Sequence, residues 1–190
     1  MYSDGTAQNF RVDNSGIIDA GVQGSGLAAE IGADGNTFTF DNSGTIQGRG
    51  TVDAADGFRV GNAGNIGTAT VNITNSGTIN SESTTGTTAG LRFVNGIDFA
   101  GTIDNSGTIS GAQNGVYFGN PVDGAGADHS NGVFNNLEGG TISSDSRAFN
   151  IDGEGLTLNN AGTIIGTGDQ RNGTVYSLSL IHISEPTRPY

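Results

Sequence analysis

The chain has 190 residues, of which 19 are acidic and seven are Arg with no Lys, giving a net charge of −12. Nucleic acids and anionic membrane surfaces call for a basic footprint, so this balance excludes the first and argues against the second. There is no Cys, which removes disulfides and thiolate metal sites and suits a chain that crosses an oxidising compartment unfolded; no apolar run reaches the roughly 18 residues needed for a membrane-spanning helix.

Met1-Tyr-Ser-Asp-Gly5 has neither the basic start nor the apolar core of a signal peptide, and residues 1–8 read as the edge of a fragment. From residue 9 onward an apolar strand runs repeatedly into an Asn-x-Gly bend and a short Thr-Ile strand. The copies are Phe10–Ile18, Phe38–Ile46, Val71–Ile79, Thr102–Ile109, Phe134–Ile142 and Leu156–Ile164. Their Asn residues are Asn14, Asn42, Asn75, Asn105, Asn136 and Asn160. A second apolar element precedes each later copy, at Gly26–Ala29, Gly57–Val60, Gly90–Phe93, Gly115–Phe118 and Ala148–Ile151. Alternation at period two in short segments, broken by Gly and Asn, predicts strands. The 34 Gly penalise helices heavily.

Three short strands with sharp corners in each unit of about 30 residues predict an all-β parallel β-helix of about five to six coils. Stacked coils hydrogen-bond at about 4.8 Å, so equivalent side chains form columns. Ile46, Ile79, Ile109, Ile142 and Ile164 form one predicted inward column, opposite Phe40, Ile73, Ile103, Phe134 and Leu158. The Asn column stands at the bend, where stacked amides can bond to one another and where Asn and Gly are expected to supply left-handed backbone.

Two segments depart from the repeat before it ends. Val60–Ile66 reads as a degenerate half-copy inside a loop, and Gly119–Asn131 as a long insertion. The repeat domain is placed at 9–177, with Asn172–Tyr176 as the opening strand of a further coil. Residues 178–190 have a different composition. Leu178–Arg188 resembles, over 11 consecutive residues, the conceptual translation of a transposase sequencing adapter, so 178–190 is set aside as an adapter-derived tail that is not native.

With the motif in hand, residues 9–176 resemble the passenger region of a bacterial autotransporter. Such passengers carry many Asn-x-Gly-Thr-Ile units, and the variant at Asn136–Ile142 is typical of them. The resemblance implies export, then display outside the outer membrane of a Gram-negative bacterium by the protein's own C-terminal translocator β-barrel, which this chain does not include. It implies a cell-surface or extracellular stalk or adhesin-type module. Its implied partners are host-cell or matrix glycans or proteins, with no nucleic acid and no direct membrane insertion of this segment. The alternative is a fragment of a β-helical polysaccharide lyase or hydrolase, since those enzymes share the fold.

The residues that could carry chemistry each have a plain structural reading beside the functional one. The 119–131 insertion holds Asp123, Asp128 and His129, a set able to bind a cation or move a proton; Gly/Ala/Asp loops are more often simply solvated. Gly124-Ala-Gly126-Ala-Asp128 is a single degenerate copy of the glycine–aspartate calcium repeat, whose sites need tandem copies. Asp13 and Asp41 stack in adjacent coils and Asp104 holds the same position, an arrangement that repels unless solvated or bridged by a cation. Arg59, Arg92 and Tyr117 line up outward and could grip an acidic or neutral glycan. Thr45, Thr78, Thr108, Thr141 and Thr163 form a column whose neighbours Gln47, Asn80, Ser110, Ser143 and Ile165 break the second Thr row that ice binding needs. Lyase chemistry requires carboxylates and a base in one groove, and the acids here are spread through the turns. The chain is therefore expected to be no enzyme, with no catalytic, cofactor-binding or metal-ligating set.

Overall fold

A computed structural model describes residues 9–30, 36–51, 55–61, 67–85, 87–94, 97–119, 127–128, 131–151, 153–168 and 175–176. Among them there is no helix. Three parallel sheets of six strands each close into a solenoid, and the predicted β-helix and its coil count agree with it. The first sheet stacks Asn9–Asn14, Thr37–Asn42, Gly67–Asn75, Ile97–Asn105, Asn131–Asn136 and Thr157–Asn160. The second stacks Ile17–Asp19, Thr45–Gly48, Thr78–Ser81, Thr108–Gly111, Thr141–Ser144 and Thr163–Gly166. The third stacks Leu27–Glu30, Phe58–Gly61, Ala89–Phe93, Asn114–Phe118, Arg147–Ile151 and Val175–Tyr176. A two-stranded pair, Ala127–Asp128 with Gly153–Glu154, stands outside the three.

Alternation along each strand puts every second side chain inside. Ile46, Ile79, Ile109 and Ile142 are fully buried on the second sheet, facing Phe40, Ile73, Ile103, Phe134 and Leu158 from the first. Ile164 is only partly buried, as are Phe10, Val12, Ile18 and Leu27 of the first coil; the reason is positional, since an outermost strand has a neighbour on one side only. The third sheet closes the core with Phe58, Leu91, Phe93, Val116, Phe118 and Phe149. Phe93 and Phe118 stack in parallel with centroids 4.6 Å apart, and Phe134 meets Phe149 edge-on at 5.0 Å. Each such side chain contributes about 1.5–3 kcal/mol when fully buried.

The bend between the first and second sheets is the most regular feature. Asn14, Asn42, Asn75, Asn105 and Asn136 each donate from Nδ2 to Oδ1 of the Asn one coil on, at 2.7–2.8 Å, ending on Asn160. The same Nδ2 of Asn75 also lies 3.3 Å from the Gly77 and Thr108 carbonyls. The predicted amide ladder is therefore present. The expected left-handed glycine occurs at this bend in one copy, at Gly139 with φ 83°, while Gly16, Gly44, Gly77 and Gly107 do without it. Gly44, Gly77 and Gly107 are glycines because each touches the coil before it, whereas a Cβ on Gly16, in the first coil, would meet nothing within 4 Å. A Cβ on Gly77 would fall 2.1 Å from the Gly44 carbonyl oxygen, and one on Gly107 2.2 Å from that of Gly77.

Candidate functional site

The outward columns follow from the register. On the first sheet, Asp13, Asp41, Thr74, Asp104, Asn135 and Asn159 are successive partners. The repulsion expected between Asp13 and Asp41 is resolved internally, since Arg11 Nη2 lies 2.9 Å from Asp13 and 2.5 Å from Asp41. The hydrogen bond and charge of Asp13, then the charge of Asp41, raise the Arg11 pKa above its ordinary value. Thr74 separates Asp41 from Asp104, and Asp104 accepts a bond from Asn135 Nδ2 at 2.7 Å. Arg11 was missed by column reading because it occurs once. Its signal was its place two residues from Asp13, on the same face of the strand.

The Arg59–Arg92–Tyr117 stripe exists as register partners on the third sheet, but it is not an open grip. The Arg92 side chain is only 16 % exposed and its Nη1 lies 3.7 Å from Asp56. Its guanidinium carbon sits 5.5 Å from the Tyr117 ring centroid, a cation–π distance.

Asp56 stands at the corner before Phe58–Gly61 and is fully buried. Its Oδ1 accepts the Ala89 N–H at 2.9 Å, while its Oδ2 has no hydrogen-bond partner among the described residues. Burial pushes this carboxyl up to about 6, against the opposing pull of Arg92, the Ala89 N–H and Arg59. Desolvation of the charged form outweighs the neighbouring cations here. The repeat did not disclose Asp56, because no other copy has an acid at that position.

Of the 119–131 insertion, Asp123, Gly124, Gly126 and His129 lie outside the described residues. Asp128 is in the short strand that pairs with Gly153–Glu154. The half-copy at 62–66, the edge at 1–8 and the tail at 178–190 also lie outside them. Among the described residues no group of three or more His, Cys, Asp or Glu side chains is placed to hold a metal ion.

The second sheet carries the predicted Thr column in register, Thr45, Thr78, Thr108, Thr141 and Thr163. Beside it Gln47, Asn80, Ser110, Ser143 and Ile165 form the second outward column. Asn80, Ser110, Ser143 and Ile165 of that column floor a groove of about 460 Å³, walled by Glu82 and Thr84 at one corner and by Asp145 and Thr167 further along. Ser110 Oγ bonds Asn80 Oδ1 at 2.8 Å across adjacent coils. Arg49 ties the groove rim to the first coil of the same sheet, lying 3.0 Å from Asp19 and 3.4 Å from Glu82, and Gln47 Nε2 donates to Glu82. No basic residue lines the groove among the described residues.

Sequence reading tested this column only for threonine. Its role as a groove floor depends on how the chain turns the corner after Ser81 and Ser144, which spacing does not reveal. No family model, no curated protein and no solved structure matches the chain.

Proposed function

We propose that this chain is a segment of a surface-displayed β-helical passenger that serves as a structural stalk or adhesin-type module. The observation that carries the reading is the unbroken Asn ladder from Asn14 to Asn160, with one-to-one register of the three sheets beside it. Each coil repeats the same inward columns and the same stacked Asn at the bend, so the extended body is a scaffold on which outward residues vary freely. Net acidity and the lack of Cys support a life outside the cell, and the Asn-x-Gly-Thr-Ile repeat supports the autotransporter class. The adapter-like tail at 178–190 is then foreign to the natural array.

An enzyme of the polysaccharide-acting kind would need acids and a base converging in one groove. The polar groove on the second sheet is lined by Glu82 and Asp145 and, among the described residues, by no base. The reading is tested on the uninterrupted open reading frame from the same source. A C-terminal antiparallel β-barrel sequence is the expected result, and a complete frame without one overturns the assignment. Incubation with polyuronates is the complementary assay: depolymerisation would replace the scaffold reading with an enzymatic one.

A further inference from the structure

The second-sheet groove crosses four successive coils, at Asn80–Thr84, Ser110–Ala112, Ser143–Asp145 and Ile165–Thr167. At about 4.8 Å per coil its floor is about 14 Å long. One coil is similar in length to one pyranose unit of an extended glycan, so each sugar would meet an equivalent row of groups. Those groups are hydroxyls and amides, from Asn80, Ser110 and Ser143, and they suit the paired donor and acceptor character of sugar hydroxyls. The Ser110–Asn80 bond at 2.8 Å fixes two of them before any ligand arrives. Ile165, 47 % exposed, supplies the apolar patch on which the C–H face of a pyranose can rest.

Charge selects among sugars. Glu82 and Asp145 wall the groove, Glu82 being paired with Arg49 at the rim; the whole chain carries −12, and Arg92 is engaged with Asp56 and Tyr117 on another sheet. A polyuronate or sulfated glycan would be repelled, and an ammonium-bearing sugar attracted.

We propose that this groove binds a linear oligosaccharide free of acidic groups, laid along the solenoid axis, with amino sugars preferred over neutral ones. The site rests on the adhesin-type reading for its extracellular setting alone; binding itself is a property of the groove.

Titration calorimetry of the whole chain with N-acetylated chitotetraose, its deacetylated form and tetragalacturonate tests the proposal. Binding is expected in the order deacetylated, acetylated, with no heat from the uronate. The advantage of the deacetylated sugar should shrink as salt rises. Ser143→Tyr, a change on an outward position, should weaken both sugars at least tenfold while the melting profile is kept. Asp145→Arg, at an exposed corner, should abolish or invert the preference for the deacetylated sugar. Uronate binding as tight as that of the amino sugar overturns the proposal. So does the absence of heat from all three sugars, or a Ser143→Tyr protein that binds like the parent. A sugar-binding chain whose full frame lacks a translocator would sink the passenger reading and leave the groove assignment standing. A displayed passenger that binds no sugar would do the reverse.

Discussion

Two corners of the solenoid bury polar groups, one in successive coils and one in single coils, and they solve the problem differently. At the bend between the first and second sheets, Asn42, Asn75, Asn105 and Asn136 each donate to the next coil and accept from the previous one. At the corner before the third sheet, Asp56 offers only acceptors: one oxygen takes the Ala89 N–H and the other is left 3.7 Å from Arg92. A side chain with both donor and acceptor can stack without limit; a carboxylate cannot, because its neighbour in the column would be another acceptor and another charge. The third sheet reflects this, since Asp56 is not repeated. The register partners Ala89, Asn114 and Arg147 fill the same column, and Asn114 donates from Nδ2 to the Thr88 carbonyl at 3.1 Å.

The sharpest way to break this contrast is to put a carboxylate in the amide ladder. Asn75→Asp would lose the donor that serves Asn105, Gly77 and Thr108 and would bury a charge at a fully buried position. A loss of about 3–5 kcal/mol is expected, read as a fall in the denaturant midpoint. The loss should ease in acid, where a protonated Asp regains one donor. A neutral outcome at pH 7 would mean that the ladder contributes little.

The reverse exchange, Asp56→Asn, is next in size. Folding raises this carboxyl from its ordinary 3.8 to about 6, so between those values the folded chain binds more protons than the unfolded one. The Asp56 contribution is therefore fully present below about pH 4 and is lost as pH rises through about 6. Across that window the parent should lose on the order of 3 kcal/mol relative to the variant. Parallel stability curves for the two proteins from pH 4 to 7 would refute the buried-acid account.

The smallest effect belongs outside the core. Arg11→Gln leaves Asp13 and Asp41 stacked without their shared cation. These side chains are exposed to solvent, so only a slight fall in melting temperature at low salt is expected. The difference should vanish near 1 M salt, where the Debye length is about 3 Å. A large, salt-independent loss would show that the Arg11 bridge is structural.

The repeat made the fold legible because three signals coincide in most copies: alternation, the Asn-x-Gly bend and the Thr-Ile strand. It predicted the Ile and Phe columns and the Asn ladder residue by residue. It did not separate the two reasons for Gly at the bend, a left-handed turn at Gly139 and a close stack of coils at Gly44, Gly77 and Gly107, since both leave the same mark in one sequence. The outward face was less legible. Arg92 was seen as exposed in a stripe, yet it turns toward a buried acid one coil below, in a corner that no repeat marks.

The sequence alone determined the architecture, the inward columns and the polar ladder, because those follow from a period imposed on every coil and summed along the stack. Only the tertiary structure decided which outward groups are free and which are spent on one another. Arg11, Arg92 and Asp56 find their partners across coils some 30 residues apart, and the groove over Ser110 and Ser143 takes its walls from corners that vary from coil to coil. Such contacts depend on where single side chains end in space, which a one-dimensional repeat does not encode.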